Sequence, residues 1–225
     1  MIYFEKSQPA PVCLAIEKAK PSSENYKCGT VLQRLNTDFE RKCYICESKN
    51  ITNVNVEHFR PHKGDRNLMF DWNNLFLACQ HCNNIKLGNY EDLIDCTNEA
   101  ANIEGRILLY LEVFPMEVVG VSVFELEMAK ETETTVALLH AVYNGTTPLK
   151  QIESSNLRNA ILEDLLDFET CLERFYDNRG SEKHKKWILG KIKIHLSKSS
   201  AFTAFKRQIV RDDANYLADF ESFFD

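Results

Sequence analysis

Two Cys-x-x-Cys pairs constrain what this chain can fold into more than any other feature. Cys43 and Cys46 form the first pair, and Cys79 and Cys82 form the second, with 32 residues between the pairs. Because two tight pairs can bring four thiolates to one ion, the pattern is typical of a closed tetrahedral zinc site. The spacing exceeds the roughly 15–20 residues of a zinc ribbon, so we expect a further functional segment between the pairs.

The pattern therefore predicts structural Zn²⁺ held by these four cysteines. An iron–sulfur cluster and four unrelated buried thiols are the alternatives, and His81, inside the second pair, could replace one cysteine as a ligand. We interpret the scattered cysteines as small buried apolar residues. They are Cys13, Cys28, Cys96 and Cys171.

The composition indicates a globular protein without a membrane span. Hydrophobic residues make up 44% of the chain and charged residues 27%, which is ordinary for a soluble domain. No apolar run approaches the ~20 residues that cross a bilayer. The N-terminal residues show no secretory signal, so we expect residence in the cytoplasm, where disulfide frameworks are rare.

The charge is unevenly distributed along the chain. A net charge of −6 argues against indiscriminate coating of nucleic acid. Residues 181–211, however, hold nine Lys or Arg and one acid, Glu182. This basic block is either a surface for phosphates or a solvated helical face, and both interpretations stay open.

Hydrophobic periodicity places short strands near the cysteines and helices elsewhere. We expect an irregular arm over residues 1–23. The other predicted elements are a helix over 30–41, strands within 51–59 and 74–79, a brief helix that Gly88 ends, a strand pair over 106–124 with its turn near Pro115, and a long amphipathic helix over 157–175.

Three polar residues near the second cysteine pair suit phosphodiester hydrolysis. Glu57 and His58 lie between the two pairs, and Asn83 directly follows the second pair. A neutral imidazole can deprotonate water near neutral pH, and carboxylate and amide oxygens suit Mg²⁺. A divalent cation neutralises the phosphate and the departing oxygen during cleavage.

These residues together resemble the HNH endonuclease family, in its zinc-stapled form of the ββα-metal fold. The family pattern is Cys-x-x-Cys, an acid followed by His, a loop that ends in Asn-Leu, and Cys-x-x-Cys-(His or Asn)-x-x-Lys. The resemblance covers about residues 43–88. The matching residues here are Cys43, Cys46, Glu57, His58, Asn74, Leu75, Cys79, Cys82, Asn83 and Lys86.

The resemblance implies a role for each matching polar residue. His58 would be the general base, and Asn74 would pin the long loop and orient His58. Glu57 and Asn83 would hold a catalytic Mg²⁺ or Mn²⁺, and Lys86 would contact a phosphate. The family more often has Asp at the first position and often His at the last, so the metal preference is open.

Other histidines and one arginine have open or structural interpretations. Arg60 and His62 either contact phosphate or lie at the rim of the site. His140 lies in an apolar stretch and is interpreted as structural, whereas His184 and His195 are expected to be exposed. The aromatic residues of the C-terminal segment 214–225 are expected to pack on the body rather than dock a partner helix.

A looser resemblance extends beyond the motif. The segments "YFEKS", "CYICE", "EHFRP" and "DWNNLFLACQHCNNIK" are similar to the HNH subunit, PtuB, of Septu anti-phage systems and to related retron-associated subunits. That family implies a partner, an ABC-type ATPase (PtuA-like), and defence by cleavage of nucleic acid. DNA is the favoured target and RNA, such as tRNA, the alternative. A non-catalytic zinc module that binds nucleic acid is the rival from a different class.

The expected fold class is therefore α+β. We expect a ββα-metal HNH core with a four-cysteine zinc site embedded in a mostly α-helical body. The expected division is an N-terminal arm over residues 1–29, the nuclease module over 30–98 and a mainly helical region over 99–225.

Overall fold

A computed structural model describes residues 1–124, 128–177 and 181–225 of the chain. It is an α+β protein, as expected. Its helices are α1 (Val12–Ala19), α2 (Gly29–Asp38), α3 (Arg66–Met69), α4 (Gln80–Lys86), α5 (Ile103–Arg106), α6 (Lys130–Asn144), α7 (Pro148–Tyr176), α8 (Glu182–Leu196), α9 (Thr203–Asp212) and α10 (Ala214–Phe220). Its strands are β1 (Val54–His58), β2 (Leu75–Cys79), β3 (Ile107–Glu112) and β4 (Val118–Val123). Within these residues, no helix combines the length and apolar character needed to cross a bilayer.

The first hairpin and the helix after it form a ββα unit. β1 pairs antiparallel with β2, so that Val54 lies opposite Cys79 and His58 lies opposite Leu75. α4 follows β2 without a loop, and the Cys79 side chain caps it by accepting a hydrogen bond from the Cys82 amide. The predicted strands and brief helix are confirmed, although α4 ends at Lys86, before Gly88.

The second hairpin and the long helices build the rest of the body. β3 pairs antiparallel with β4 across the turn that contains Pro115, as predicted. β3 packs against α9 and β4 against α6. The predicted amphipathic stripe lies within α7 and is buried. Its buried members are Leu157, Ile161, Leu165, Phe168 and Leu172.

Two hydrophobic clusters stabilise the molecule. The larger one joins both hairpins to α2, α6 and the start of the chain. The smaller one joins α7, α8, α9 and α10 around Phe168, Ile192 and Phe220. Because Phe220 is fully buried there, the prediction that the C-terminal aromatic residues pack on the body is confirmed.

The N-terminal arm differs from the irregular segment that we expected. It contains the helix α1, and Phe4 is buried in the larger cluster, with its amide bonded to the carbonyl of Cys96. The expectation for two cysteines was also wrong. Cys13 and Cys28 are half-buried and joined by a disulfide, whereas Cys96 and Cys171 are buried thiols as expected.

Two of the histidine expectations also need correction. His140 is exposed, because its position on α6 turns it away from its buried neighbours Leu139 and Ala141. His195 is largely buried, because α8 turns it toward α7, where its Nε2 lies 3.2 Å from the Asp167 carboxylate. His184 is exposed, as expected.

Candidate functional site

The four paired cysteines converge at one point of the fold. The first pair lies between α2 and β1, and the second pair lies where β2 passes into α4. All four sulfur atoms lie within 4.8 Å of one another, and Cys46 Sγ and Cys79 Sγ are 3.9 Å apart. A tetrahedral zinc ion with Zn–S bonds of about 2.3 Å requires sulfur atoms about 3.8 Å apart. The cluster therefore fits zinc, as predicted.

His81 lies beside this cluster and makes other contacts. Its Nδ1 lies 2.7 Å from Glu153 Oε2, and its Nε2 lies 2.9 Å from the carbonyl oxygen of Val142. Both ring nitrogens are therefore engaged by α6 and α7. His81 connects the cysteine cluster to the helical body, and the four sulfur atoms suffice as ligands.

A second group of polar side chains lines a cavity of about 310 Å³ formed by the ββα unit and the N-terminal arm. β1 carries Glu57 and His58 to the cavity, and α4, which packs against β1, carries Asn83. These are the three residues that the sequence pattern predicts for base and cation. The ββα unit brings them together because the end of β1 lies alongside the middle of α4.

The His58 ring is oriented by the backbone. Its Nε2 lies 3.1 Å from the carbonyl oxygen of Met69, which can only accept a hydrogen bond. Nε2 therefore carries the proton, and in the neutral ring the lone pair is on Nδ1. Burial lowers the pKa of His58 below its ordinary value, the Met69 hydrogen bond opposes this effect, and His62 lowers the pKa further. A neutral imidazole with a basic Nδ1 is thus favoured at neutral pH.

Asn74 holds both ends of the loop that follows β1. Its Nδ2 donates to the carbonyl oxygens of Arg60 (2.9 Å) and Leu68 (3.0 Å), and its Oδ1 accepts from the Arg60 amide (2.7 Å). Asn74 is only 5% exposed, so these bonds are shielded from water. Leu68 directly precedes Met69, so the Asn74 bonds also support the carbonyl that orients His58.

The Lys86 side chain is not accessible to a phosphate in solution, contrary to the prediction that it contacts one. It is fully buried, and its Nζ lies 2.5 Å from Glu57 Oε1 and 3.0 Å from the His58 carbonyl oxygen. The other carboxylate oxygen, Glu57 Oε2, accepts from the Tyr44 hydroxyl at 2.9 Å. Burial raises the pKa of Glu57, and the Lys86 ammonium acts in the opposite direction.

The Glu57 carboxylate nevertheless keeps capacity for a cation. Two carboxylate oxygens offer about four acceptor sites, and Lys86 and Tyr44 use two of them. The Asn83 side chain is half-buried at the same cavity and makes no hydrogen bond to any residue that the structure describes. One carboxylate oxygen and one amide oxygen form a small donor set of the kind that Mg²⁺ uses when it keeps several waters.

The two residues with open interpretations are separated in the fold. The His62 ring lies 4.6 Å from the His58 ring and lines the same cavity. Arg60 instead lines a neighbouring cavity with Asp71 and Asp95. His62 is therefore placed to meet whatever occupies the His58 cavity, and Arg60 faces a separate acidic groove.

Tyr26 and Lys27 are among the cavity residues that the sequence reasoning missed. The Tyr26 ring lies 4.4 Å from the His58 ring, and the exposed Lys27 lines the cavity beside it. The Cys13–Cys28 disulfide closes this part of the arm, and the Arg66 guanidinium donates to three carbonyl oxygens in residues 18–23. No sequence spacing relates residue 26 to residue 58, so only the tertiary fold reveals the contact.

Comparisons with known proteins agree with this geometry. Residues 43–87 match the family model described as HNH endonuclease. The chain is also 32% identical over 114 residues to the Septu protein PtuB of Bacillus mycoides (strain KBAB4). That match covers 44% of this chain and 39% of the relative, so the chain spans about two fifths of the relative's length. The predicted resemblance to the HNH endonucleases is thereby confirmed over residues 43–87.

Proposed function

We propose that the chain is a metal-dependent endonuclease that hydrolyses phosphodiester bonds of nucleic acid. The observation that carries the proposal is the state of His58. Its Nε2 is engaged by a backbone carbonyl, its Nδ1 has no hydrogen-bond partner among the described residues, and Glu57 and Asn83 line the same cavity. Such an imidazole is oriented and unprotonated at one nitrogen, as a general base requires.

Each residue of the cavity has a distinct task in this proposal. His58 Nδ1 accepts a proton from water, and the resulting hydroxide attacks the phosphorus as the bond to the leaving oxygen breaks. Glu57 and Asn83 would hold a divalent cation, which when bound supplies positive charge to the phosphate and the leaving oxygen. Lys27 is exposed at this cavity and would contact the phosphate, whereas Lys86 is buried.

The buried bonds around these residues would keep the site in order. Asn74 holds the loop whose Met69 carbonyl orients His58, and Tyr26 packs on the His58 ring. Preorganised groups of this kind avoid rearrangement during the reaction. Asn74 and Tyr26 are positioning residues in this scheme.

The wider biological role is proposed from the Septu relative. We propose an effector of anti-phage defence that works in the cytoplasm with an ABC-type ATPase partner and cleaves DNA. The similarity to a protein named Septu protein PtuB supports this step. RNA is the alternative target, because the residues of the cavity recognise a phosphodiester and do not distinguish the sugar.

Cleavage assays test the proposal. The purified chain, with its ATPase partner, is incubated with plasmid DNA and with tRNA in Mg²⁺ or Mn²⁺. His58→Ala should lower the cleavage rate by about 10²–10⁴-fold, the range of general-base catalysis. His62→Ala removes a second imidazole from the same cavity and is the matched control, with a smaller expected loss. Equal cleavage by wild type and His58→Ala would disprove the mechanism, and cleavage of tRNA alone would reassign the target.

A further inference from the structure

The basic block divides into two parts in the fold. In α9, Lys206 and Arg207 are buried and paired with Asp164 and Glu104. In α8, by contrast, the lysines face outward. Glu182 is the one acid of this helix. One lysine, Lys191, is half-buried, and the other four are exposed: Lys183, Lys185, Lys186 and Lys193.

α8 buries its apolar side against the body, so its lysines are on the side that faces solvent. Ile188, Ile192 and Leu196 are fully buried in the smaller cluster. Trp187 is directed outward instead and is 53% exposed. A large aromatic ring left in solvent by a helix that buries its apolar side is unusual, because burial of Trp contributes strongly to stability.

Lys191 and His184 contact this exposed ring. Lys191 Nζ lies 4.5 Å from the centroid of the Trp187 ring, and the His184 ring lies 5.7 Å from it. Lys183 is one turn before Trp187 on the helix, and Lys186 is adjacent to it. We call Lys183, Lys186, Trp187 and Lys191 the Trp187 face.

The lysines of this face lack acidic partners within the residues that the structure describes. Among the residues that the structure describes, the ion pairs include Lys20 with Glu17, Lys150 with Glu153 and Lys206 with Asp164, and none of these described pairs involves a lysine of α8. The positive charge of α8 is therefore available to an anionic partner, although the whole chain carries −6.

We propose that the Trp187 face binds single-stranded nucleic acid, with an unpaired base stacked on Trp187 and phosphates on the surrounding lysines. Aromatic stacking platforms within a positive surface are how proteins bind single strands without sequence preference. A duplex keeps its bases stacked inside and offers Trp187 no free base. This inference deepens the proposed nuclease function, since it gives the substrate a second contact outside the His58 cavity.

The structure favours nucleic acid over a lipid surface. Interfacial helices insert a broad apolar side into the membrane, with Lys or Arg on the opposite side. In α8 the broad apolar side is already buried in the protein, and the exposed large apolar residues of the helix are Trp187 and Ile194. Two exposed apolar side chains among lysines suit stacking better than insertion.

Tryptophan fluorescence tests the inference directly. The chain has two tryptophans, and Trp72 is 2% exposed, so a quencher in solution reports mainly on Trp187. The His58→Ala variant of the 225-residue chain is titrated with a 12-nucleotide single strand, which it should not cleave. We expect saturable quenching that weakens as salt is added, because phosphate binding releases counterions.

A charge-matched pair of variants locates the binding. The triple substitution Lys183→Gln, Lys186→Gln, Lys191→Gln should weaken binding of a labelled strand by tenfold or more, about the effect that neutralised phosphate contacts give. The control removes three exposed lysines elsewhere, by Lys18→Gln, Lys20→Gln and Lys130→Gln. Trp187→Ala should also weaken binding by about tenfold, as loss of a stacked base does.

Several outcomes would overturn the inference. The first is that the single strand does not quench Trp187, and the second is that both triple variants lose affinity equally. The third is that vesicles containing phosphatidylglycerol quench Trp187 while the single strand does not. The outcome also separates this inference from the proposed function. His58-dependent cleavage without binding at the Trp187 face overturns the inference alone, and binding without any cleavage overturns the nuclease proposal alone.

Discussion

The buried pair of Glu57 and Lys86 is the unusual electrostatic feature of the site at the scale of single residues. Both side chains are almost fully buried, at 5% and 0% exposure, and their charged atoms are 2.5 Å apart. A buried charge without a partner is strongly unfavourable, whereas a paired one is tolerated. Lys86 therefore allows a buried carboxylate to line the His58 cavity.

Removal of Lys86 should destabilise the fold. Lys86→Met leaves the Glu57 carboxylate buried without a counter-charge and should lower the free energy of unfolding by about 3–5 kcal/mol. Chemical denaturation measures the change. Lys63→Met is the control, because it breaks an exposed ion pair with Glu91 and should change stability little. Equal effects of the two variants would contradict the structural role of Lys86.

The sequence predicted which residues line the site better than it predicted how deeply each side chain is buried. The Glu-His pair and the asparagine after the second cysteine pair identify Glu57, His58 and Asn83, and the structure places all three at one cavity. Their catalytic roles stay predictions. The spacing of Lys86 matched the motif equally well, yet burial turned it inward, and burial depends on packing that a motif does not encode.

At the scale of elements, the cysteine cluster joins the start of the ββα unit to its helix. We predict that Cys79→Ser loses bound zinc, measured by metal analysis of the purified chain, and unfolds at a lower temperature than wild type. Cys96→Ser is the control, since Cys96 is a buried thiol outside the cluster. Full zinc content in Cys79→Ser would contradict the four-thiolate site.

The disulfide of the N-terminal arm gives a second prediction at this scale. Cys13 and Cys28 are 15 residues apart, and a cross-link of that length stabilises a protein by about 3 kcal/mol. A reductant should therefore lower the unfolding temperature of the wild type, measured by calorimetry. The double variant Cys13→Ser, Cys28→Ser should already unfold at the lower temperature and should not respond further. An equal response of both proteins would assign the effect to other thiols.

Strands and long helices followed from the sequence, and the arm did not. Alternation of apolar residues predicted β1, short apolar runs predicted β2 and the second hairpin, and a three-to-four-residue step predicted α7. α1 has eight residues and buries only Leu14, so its apolar pattern is too weak to recognise. The contact of Tyr26 with His58 depends on where this arm packs.

At the scale of the whole molecule, the arm is held to the core by a half-buried lysine, Lys6. Lys6 donates hydrogen bonds to the carbonyl oxygens of Trp72 and Leu75, and its Nζ lies 4.5 Å from the centroid of the Trp72 ring. Burial lowers the pKa of Lys6 to about 7. The neutral amine still has two hydrogens, so both hydrogen bonds can persist when it deprotonates.

This lysine should make stability depend on pH. Between pH 7 and about 10.5 the unfolded chain carries a proton on Lys6 that the folded chain does not, so stability rises with pH in this window, by at most about 1.4 kcal/mol per unit. The Lys6→Met variant should lack that contribution. Chemical denaturation of both proteins at pH 7 and pH 9 measures the difference. If the free energies of unfolding of wild type and Lys6→Met differ by the same amount at pH 7 and at pH 9, Lys6 is charged in the folded protein.

The claim on which the account depends is that the imidazole of His58 removes the proton from the attacking water. The most direct measurement is the cleavage rate of His58→Ala as free imidazole is added, with Asn74, Glu57 and the cysteine cluster intact. We predict a rate that starts at about 10²-fold or more below wild type and rises with the concentration of neutral imidazole, while the wild-type rate does not respond. A His58→Ala chain that cleaves as fast as wild type without imidazole would contradict the account.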